Sequence, residues 1–349
     1  MQIKSFYTLF HGCKFRFTTD SRAIIKNGIF FALKGENFNG NTFALEALEQ
    51  GAAYAVVDEQ IKENPRLILV PNVLKFMQEL ATFHRSCFDI PVIGICGSNG
   101  KTTTKNLIES VLSKKYKTHV TQGNFNNHLG VPLTLLAMPE DTEIAIIELG
   151  TNNPGEIAEL CQFAKPTHGL ITNIGKEHLE GFGTLEAVAK EESEIYHYLL
   201  QNNGTAFINK DDKWLTRMSR SLIHKILFSK QKCTIHSLVP TISVKYKNAT
   251  LKSSLMGDYN LDNILTAVAI GEYFEMDLDQ IINGIAAYKP DNNRSQLLQK
   301  GTNTILLDAY NANPSSMQVA ISNFANMPHV KKVLILGDMF ELGDTAHTE

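Results

Sequence analysis

The sequence lacks the features that mark several large classes of protein. It has no apolar run of transmembrane length, and its N-terminus, MQIKSFYTLFHG, has no signal-peptide pattern, so a cytoplasmic chain is expected, neither exported nor membrane-spanning. Its five cysteines, Cys13, Cys87, Cys96, Cys161 and Cys233, are odd in number, far apart and never in a C-x-x-C pair. That spacing argues against a disulfide framework and for reduced thiols. Basic surplus is absent too. The formal net charge is −3 with Lys and Arg scattered along the chain, which leaves no electrostatic footprint for nucleic acid. Apolar residues make up 43% and charged residues 20%, a globular composition rather than a disordered one. At 349 residues the chain exceeds one ordinary core, and two or three domains are expected.

One absence is more local. The stretch GICGSNGKTTTK, residues 94–105, reads as a phosphate-binding loop, but the position where the eight-residue pattern has its first glycine is Ile95. The shorter G-x-x-G-K-T remains, from Gly97 to Thr102. The apolar run PVIGIC precedes it, and apolar residues at helical spacing follow it in KTTTKNLIESVLSKKY. Strand, glycine turn and helix in that order bring backbone N–H groups and a helix N-terminus to bear on phosphates, while Lys101 and the Thr102 hydroxyl meet their charge and a magnesium ion. The competing reading, a glycine turn that merely caps a helix, does not account for the Lys and three threonines.

Around this motif the chain alternates strand and helix. From Thr18 to Val57 the strands IFFAL and AYAVV flank a helical FALEALEQ, a small α/β unit, and the helix NVLKFMQELATFHRSCF leads to Pro91. AIIELG, EIAELCQFA, HGLITNIG, AVAKEESEIYHYLL and TAFINKDD continue the pattern, which implies a parallel, doubly wound sheet. TISVKYKNATLKSSL reads as paired antiparallel strands, and NILTAVAIGEYF as helix. A third unit begins near Arg294, with a strand NTILLDAY, a helix from Ser315 to about Met327 and a second strand KKVLILGD. The uninterrupted VLILG reads as a central parallel strand, and roughly 55 residues supply few neighbours for it, so this unit is expected to be incomplete.

Glu148 ends AIIELG, and ligands of open α/β sheets sit at the carboxyl ends of strands, which makes it a magnesium-ligand candidate rather than only a solvated strand-end charge. His178, in ITNIGKEHLEGFG, follows another strand end, with Asn173 before it; on residue chemistry alone, ligand and bystander are equally good readings. GNFNNHLGVP, with Asn124, Asn126 and Asn127, can hydrogen-bond a polar substrate, although by itself a turn is the simpler reading. DNNRSQ and DAYNANPSSM contain Arg294, a residue type that can clamp a phosphate, and Asp308, a strand-end acid that can hold ribose hydroxyls. The plainer reading there is a linker and a capped helix.

In this order GSNGKTTTK, IIELGTNNPGEI, ITNIGKEHLEGFG, GDYNLDN, DNNRSQ, DAYNANPSSM and LGDMFELG resemble the Mur ligases of peptidoglycan synthesis, along the whole chain. DAYNANPSSM and LGDMFELG point to the branch that adds D-alanyl-D-alanine to UDP-N-acetylmuramoyl-tripeptide, and TDSR with GIFFALKGENFNGNTF resembles that family's uridine-nucleotide domain. The resemblance implies a three-domain α/β architecture: residues 1–88 for the UDP-muramoyl-peptide, 89–293 as a central P-loop, ATPase-like parallel-sheet domain, and 294–349 as an incomplete Rossmann-like domain. It implies ATP and Mg2+ as cofactors and a reaction in which ATP phosphorylates a peptide carboxylate before an amine attacks it; a monomer, with no nucleic-acid partner and no membrane insertion, is expected.

Residue by residue, the resemblance implies that Gly97, Ser98, Asn99, Gly100, Lys101, Thr102 and Thr103 bind the ATP phosphates, Thr102 and Glu148 hold magnesium, and His178 holds a second magnesium. Asn263 would meet adenine, Arg294 the phosphates and Asp308 the ribose. Ser21 and Arg22 would meet the uridine nucleotide, and Asn124, Asn126, Asn127 and Thr151 the muramoyl-peptide. Glu192, in VAKEESEIY, stands where many family members have a carbamylated lysine, and is expected to replace it electrostatically; Lys190 lies on another side of the helix. Two other outcomes stay open: a nucleotide-binding homologue without turnover, or another carboxylate-amine ligase, of the diaminopimelate-adding or folylpolyglutamate type. DAYNANPSSM argues against the latter.

Overall fold

The computed structural model describes residues 2–290, 293–327, 331–342 and 346–347, without the side chain of Leu179. Asp291 and Asn292 of DNNRSQ and Gly343 of LGDMFELG lie outside the described residues. By compactness the chain forms two units. The first comprises residues 1–89, 128–140 and 162–165, and the second comprises the remainder, residues 294–349 included.

The first unit is built on a four-stranded parallel sheet, β1 (Phe17–Thr18), β2 (Ile29–Phe31), β3 (Tyr54–Val57) and β4 (Leu67–Leu69), in that order. All three β2 residues are buried, and Phe30, Ala55 and Val57 pack with Ala44, Ala47 and Leu48 of the helix Ala44–Glu49. The helix Val73–Ser86 starts where the Asn72 side chain accepts the Lys75 N–H, a standard N-cap. Near its other end His84 is fully buried, bonded to the Tyr7 hydroxyl at 2.8 Å and to the Met138 carbonyl at 3.2 Å.

The second unit holds a six-stranded, wholly parallel sheet made of β5 (Val92–Cys96), β6 (Thr118–Val120), β7 (Ile144–Glu148), β8 (His168–Ile171), β9 (Thr205–Asn209) and β10 (His224–Phe228). Its order is β10-β9-β8-β5-β7-β6, which puts the glycine-loop strand β5 in the interior between β8 and β7. Every residue of β5 and β7 is buried, as expected for strands covered on both faces. The helices Lys101–Leu112, Asp258–Tyr273 and Leu278–Ala287 share one core with this sheet, through Leu107, Ile108, Val111, Ile264, Val268 and Ile281.

The predicted antiparallel pair is present as β12 (Ser243–Tyr246) and β13 (Ala249–Lys252), with β11 (Cys233–Ser237) beside them. The single helix expected over AVAKEESEIYHYLL is two, Leu185–Glu192 and Glu194–Gln201, broken at Ser193.

The last segment departs from expectation. The strand NTILLDAY forms as β15 (Asn303–Leu307), but its partner is the antiparallel β14 (Gln296–Lys300). The helix follows at Pro314–Ala325, with Asn313 as N-cap and Pro314 at its start. KKVLILGD is not a strand: Val333 is 79% and Ile335 91% exposed. A strand needs another strand to take up its backbone N–H and C=O groups, and no described residue of this segment pairs in a ladder. Ile146, at the centre of β7 and fully buried, tests the main core. Ile146→Ala should cost about 2–5 kcal/mol of unfolding free energy, read as a lower denaturant midpoint.

Candidate active site

The loop between β5 and the helix Lys101–Leu112 has no room for side chains at its two glycines. Gly97 has φ +114°, and a Cβ there would lie 2.4 Å from Thr172 Oγ1 and 2.6 Å from the Thr172 amide nitrogen. Gly100 has φ +82°, with the Asn263 amide 2.9–3.0 Å from a Cβ position. Both conditions demand glycine. The loop is tied to the segment after β8: the Ser98 N–H donates to Asn173 O at 3.0 Å, the Asn99 N–H to Asn173 Oδ1 at 3.2 Å, and Asn173 Nδ2 to Asn99 O at 2.8 Å. Ser98 Oγ accepts the Gly175 N–H at 2.8 Å.

Lys101, on the first turn of the helix, donates to the Gly97 carbonyl and to Ser98 O at 3.3 Å. Burial works against its charge, but Glu177, Glu192 and Glu148 more than offset this and hold its pKa above the ordinary lysine value. Thr102 Oγ1 donates to Glu148 Oε1 at 3.2 Å, and Asn126 Nδ2 donates to the same oxygen at 2.9 Å. The other Glu148 oxygen, Oε2, is buried with no partner. Hydroxyl and carboxylate oxygen thus meet at the mouth of the loop, one carboxylate oxygen unsatisfied. That donor set fits a hard divalent cation whose remaining ligands are phosphate and water oxygens. Among the described residues no three His, Cys, Asp or Glu side chains form a closed metal cage.

Glu192 is fully buried, which rules out a solvated acid on a charged helix face. Its Oε2 accepts the Gly97 N–H at 2.7 Å, so it braces the glycine loop from beneath, while exposed Lys190 points elsewhere. Burial, and then the charge of Glu177, push its pKa up to about 8. His178 has φ +44°, a strained value for a residue with a Cβ. Its Nδ1 is 2.5 Å from Glu341 Oε2, and its Nε2 3.9 Å from Glu177 Oε2.

The C-terminal segment meets the loop through an amide, Asn313 Nδ2 donating to Asn99 Oδ1 at 2.9 Å, and meets the segment after β8 through a hydroxyl, Ser315 Oγ accepting the Lys176 N–H at 2.9 Å. The Arg294 guanidinium stacks 3.9 Å from the Tyr310 ring centroid, and Asp308 Oδ1 accepts the Ser295 N–H at 3.2 Å. Burial raises the Asp308 pKa.

Of the residues proposed from sequence, the second unit thus gathers Gly97 to Thr103, Glu148, Asn126, Glu192 and Asn263 around one loop. Asn263 packs against Gly100. Asn124 and Asn127 are exposed on their loop. The Thr151 hydroxyl is held by Asn153 O at 2.9 Å and lies 3.4 Å from Glu191 Oε1. In the first unit Arg22 pairs with its neighbour Asp20 through two 2.9 Å bonds, which holds the Asp20 pKa down at about 2, and Ser21 lies between them.

Three contributors escaped sequence reasoning. Glu177 was visible only as the neighbour of His178. Glu191 accepts the Gly155 and Ile157 N–H groups at 2.7 and 2.8 Å, bracing the start of the helix Glu156–Ala164. Lys105, at the end of GKTTTK, is buried against the Thr121 carbonyl, and burial lowers its pKa.

A glycine loop at the end of a central parallel strand, opening a helix with Lys and Thr beside an acid from the next strand, defines a P-loop nucleotide-binding α/β protein. Comparison with known proteins narrows the class. The family profile of the Mur ligase middle domain matches residues 95–271, and that of the Mur ligase glutamate ligase domain matches residues 293–349. The chain is 36% identical over 353 residues to the UDP-N-acetylmuramoyl-tripeptide–D-alanyl-D-alanine ligase of Bacillus subtilis, a match covering 98% of this chain and 76% of that protein. To the Escherichia coli K12 ligase of the same name it is also 36% identical, over 93% of this chain and 75% of the relative.

Two solved structures agree. MurF from Acinetobacter baumannii superposes with a TM-score of 0.87 at 30% identity, covering 95% of this chain and 76% of that one. MurF ligase from Thermotoga maritima in complex with ADP gives 0.86 at 28% identity, covering 95% and 79%. The chain belongs to the Mur ligase family.

Two predictions follow from the loop. Gly97→Ala, which adds a methyl where Thr172 already sits, should abolish ADP binding measured by calorimetry while leaving the far-UV circular dichroism spectrum in place. Glu192 gives a pH signature. With its folded pKa near 8 and an ordinary value of 4.5, the folded state keeps a proton that the unfolded state loses between those limits. Stability from this group is full below the lower value and is lost as pH rises through the upper one. Melting temperature should therefore fall across that window, and Glu192→Gln, which cannot titrate, should flatten the fall.

Proposed function

We propose that this chain is an ATP-dependent ligase that joins D-alanyl-D-alanine to UDP-N-acetylmuramoyl-tripeptide in peptidoglycan precursor synthesis, with ATP spent on activating the peptide carboxylate. The observation that carries this reading is the side-chain-free loop at Gly97 and Gly100, set above Lys101 and Thr102 in a chain of the Mur ligase family. A carboxylate oxygen of the tripeptide attacks the γ phosphorus and ADP leaves. The dipeptide amine then attacks the acyl carbon, phosphate leaves, and the nitrogen sheds its proton. Both steps bring anions together, so catalysis here is chiefly a matter of position and offset charge.

In this reading residues 97–103 hold the polyphosphate: Gly97, Ser98 and Asn99 shape the loop, their N–H groups held by Glu192 and Asn173, the N–H groups at the start of the helix meet the phosphates, and Lys101 meets the terminal oxygens. Thr102 and Glu148 hold Mg2+, which would supply electrostatic offset on the phosphate oxygens; the unsatisfied Glu148 Oε2 supports this role. His178 is assigned to a second magnesium. Arg294 and Asp308 serve phosphate and ribose, Asn263 adenine, Ser21 and Arg22 the uridine nucleotide, and Asn124, Asn126, Asn127 and Thr151 the muramoyl-peptide. Glu192 braces the loop through Gly97 and stands in electrostatically for the carbamylated lysine of other family members. Residues 1–88, 89–293 and 294–349 are the three functional domains, working in the cytoplasm. No helix among the described residues is long and apolar enough to cross a membrane.

The decisive assay measures phosphate release from ATP in the presence of UDP-N-acetylmuramoyl-tripeptide, with and without D-alanyl-D-alanine, and weighs the product by mass spectrometry. Dipeptide-dependent release with pentapeptide formed is the expected result; release that ignores the dipeptide, or none, would overturn the reading. Thr102→Ala should lower kcat/KM for ATP by about 100-fold, a loss that excess magnesium only partly restores.

A further inference from the structure

Lys101 already has an anionic partner inside the protein. Its ammonium folds back on the carbonyls of Gly97 and Ser98, and Glu177 Oε2 lies 3.6 Å away. That is ion-pair distance, too long for a hydrogen bond. Glu177 is only 5% exposed, and its second oxygen, Oε1, is buried with no partner. Such a carboxylate costs free energy unless something offsets it.

The surrounding charges narrow the role. Glu148 is engaged by Thr102 and Asn126, and Glu192 by the Gly97 N–H. His178 Nδ1 is turned to Glu341, and its Nε2, 3.9 Å from Glu177 Oε2, is beyond hydrogen-bond reach of that carboxylate. Only Glu177 faces the lysine with no backbone or side-chain donor of its own among the contacts described. When a polyphosphate enters the loop, its oxygens and Glu177 compete for the same ammonium. At the few ångströms that separate such groups, in a partly buried site, two like charges repel strongly.

We propose that Glu177 is a positioning residue, a place-holding counter-ion that keeps Lys101 turned into the nucleotide-free loop and is exchanged for phosphate oxygens when nucleotide binds. The proposal rests on the P-loop reading above. It makes Glu177 a brake on nucleotide affinity, which a residue serving only to stabilise the fold would not be.

The test is calorimetric titration with ADP, first without and then with magnesium, on the full chain and on Glu177→Gln and Glu177→Asp. Glu177→Gln keeps the volume but removes the charge. It should bind metal-free ADP about tenfold more tightly, and magnesium should narrow the difference because the cation offsets the same repulsion. Glu177→Asp keeps the charge and should return towards the parent affinity. Equal or weaker metal-free binding by Glu177→Gln overturns the proposal, and a drop in affinity that tracks a drop in melting temperature assigns Glu177 to the fold alone. If the parent chain binds no ADP at all, the P-loop reading falls and the proposal with it; if parent and variant bind alike, only the proposal falls.

Discussion

The site depends on a steric constraint, the lack of space around Gly97. The end of β5 turns directly beneath Thr172, at the end of β8, and above the buried carboxylate of Glu192, so the first residue of the loop can carry no side chain. The N–H groups of Ser98 and Asn99 are taken by Asn173, so the N–H groups left for a ligand are those at the N-terminus of the helix beginning at Lys101. Strand order makes it possible. With β5 between β7 and β8, the loop is flanked by two other strand ends, one supplying Glu148 and the other leading to Asn173, Glu177 and His178.

Charge is arranged with equal economy. One ammonium, Lys101, lies among Glu148, Glu177 and Glu192, and these acids are treated differently. Glu148 is half satisfied by neutral donors and leaves one oxygen open. Glu192 is tied to a backbone amide in a setting that favours its protonated form at neutral pH. Glu177 stays against the lysine. Buried carboxylates that differ in this way can take different parts around a triphosphate: one for a cation, one for the loop, one for the lysine. The C-terminal segment meets the same loop through Asn313, so the cap of the helix Pro314–Ala325 is bonded to the side chain of Asn99.

Much of the fold could be read from pattern. The uninterrupted apolar runs of β5 and β7, and the helical spacing after Lys101, are properties of adjacent residues and survive without knowledge of the rest of the chain. Where the reading failed, the missing information was a neighbour. VLILG has the composition of a buried strand, but its exposed, irregular course reflects the lack of a ladder partner among the described residues. The break at Ser193 divides one periodic stretch into two helices, and periodicity does not register such a break. The bond from the Gly97 N–H to Glu192 joins residues 95 positions apart, which no local pattern contains.

The sequence by itself determined the chemistry on offer: a glycine turn followed by Lys and Thr, acids at strand ends, and the family to which the chain belongs. Those features reside in residue types and short spacings, which the backbone must honour wherever it goes. Only the tertiary structure decided which of the acids faces which group. That choice depends on strand order, on the depth of burial and on hydrogen bonds between distant segments. Glu177 shows the difference: in the sequence it is one charge beside a histidine, and in the fold it is the carboxylate that faces Lys101.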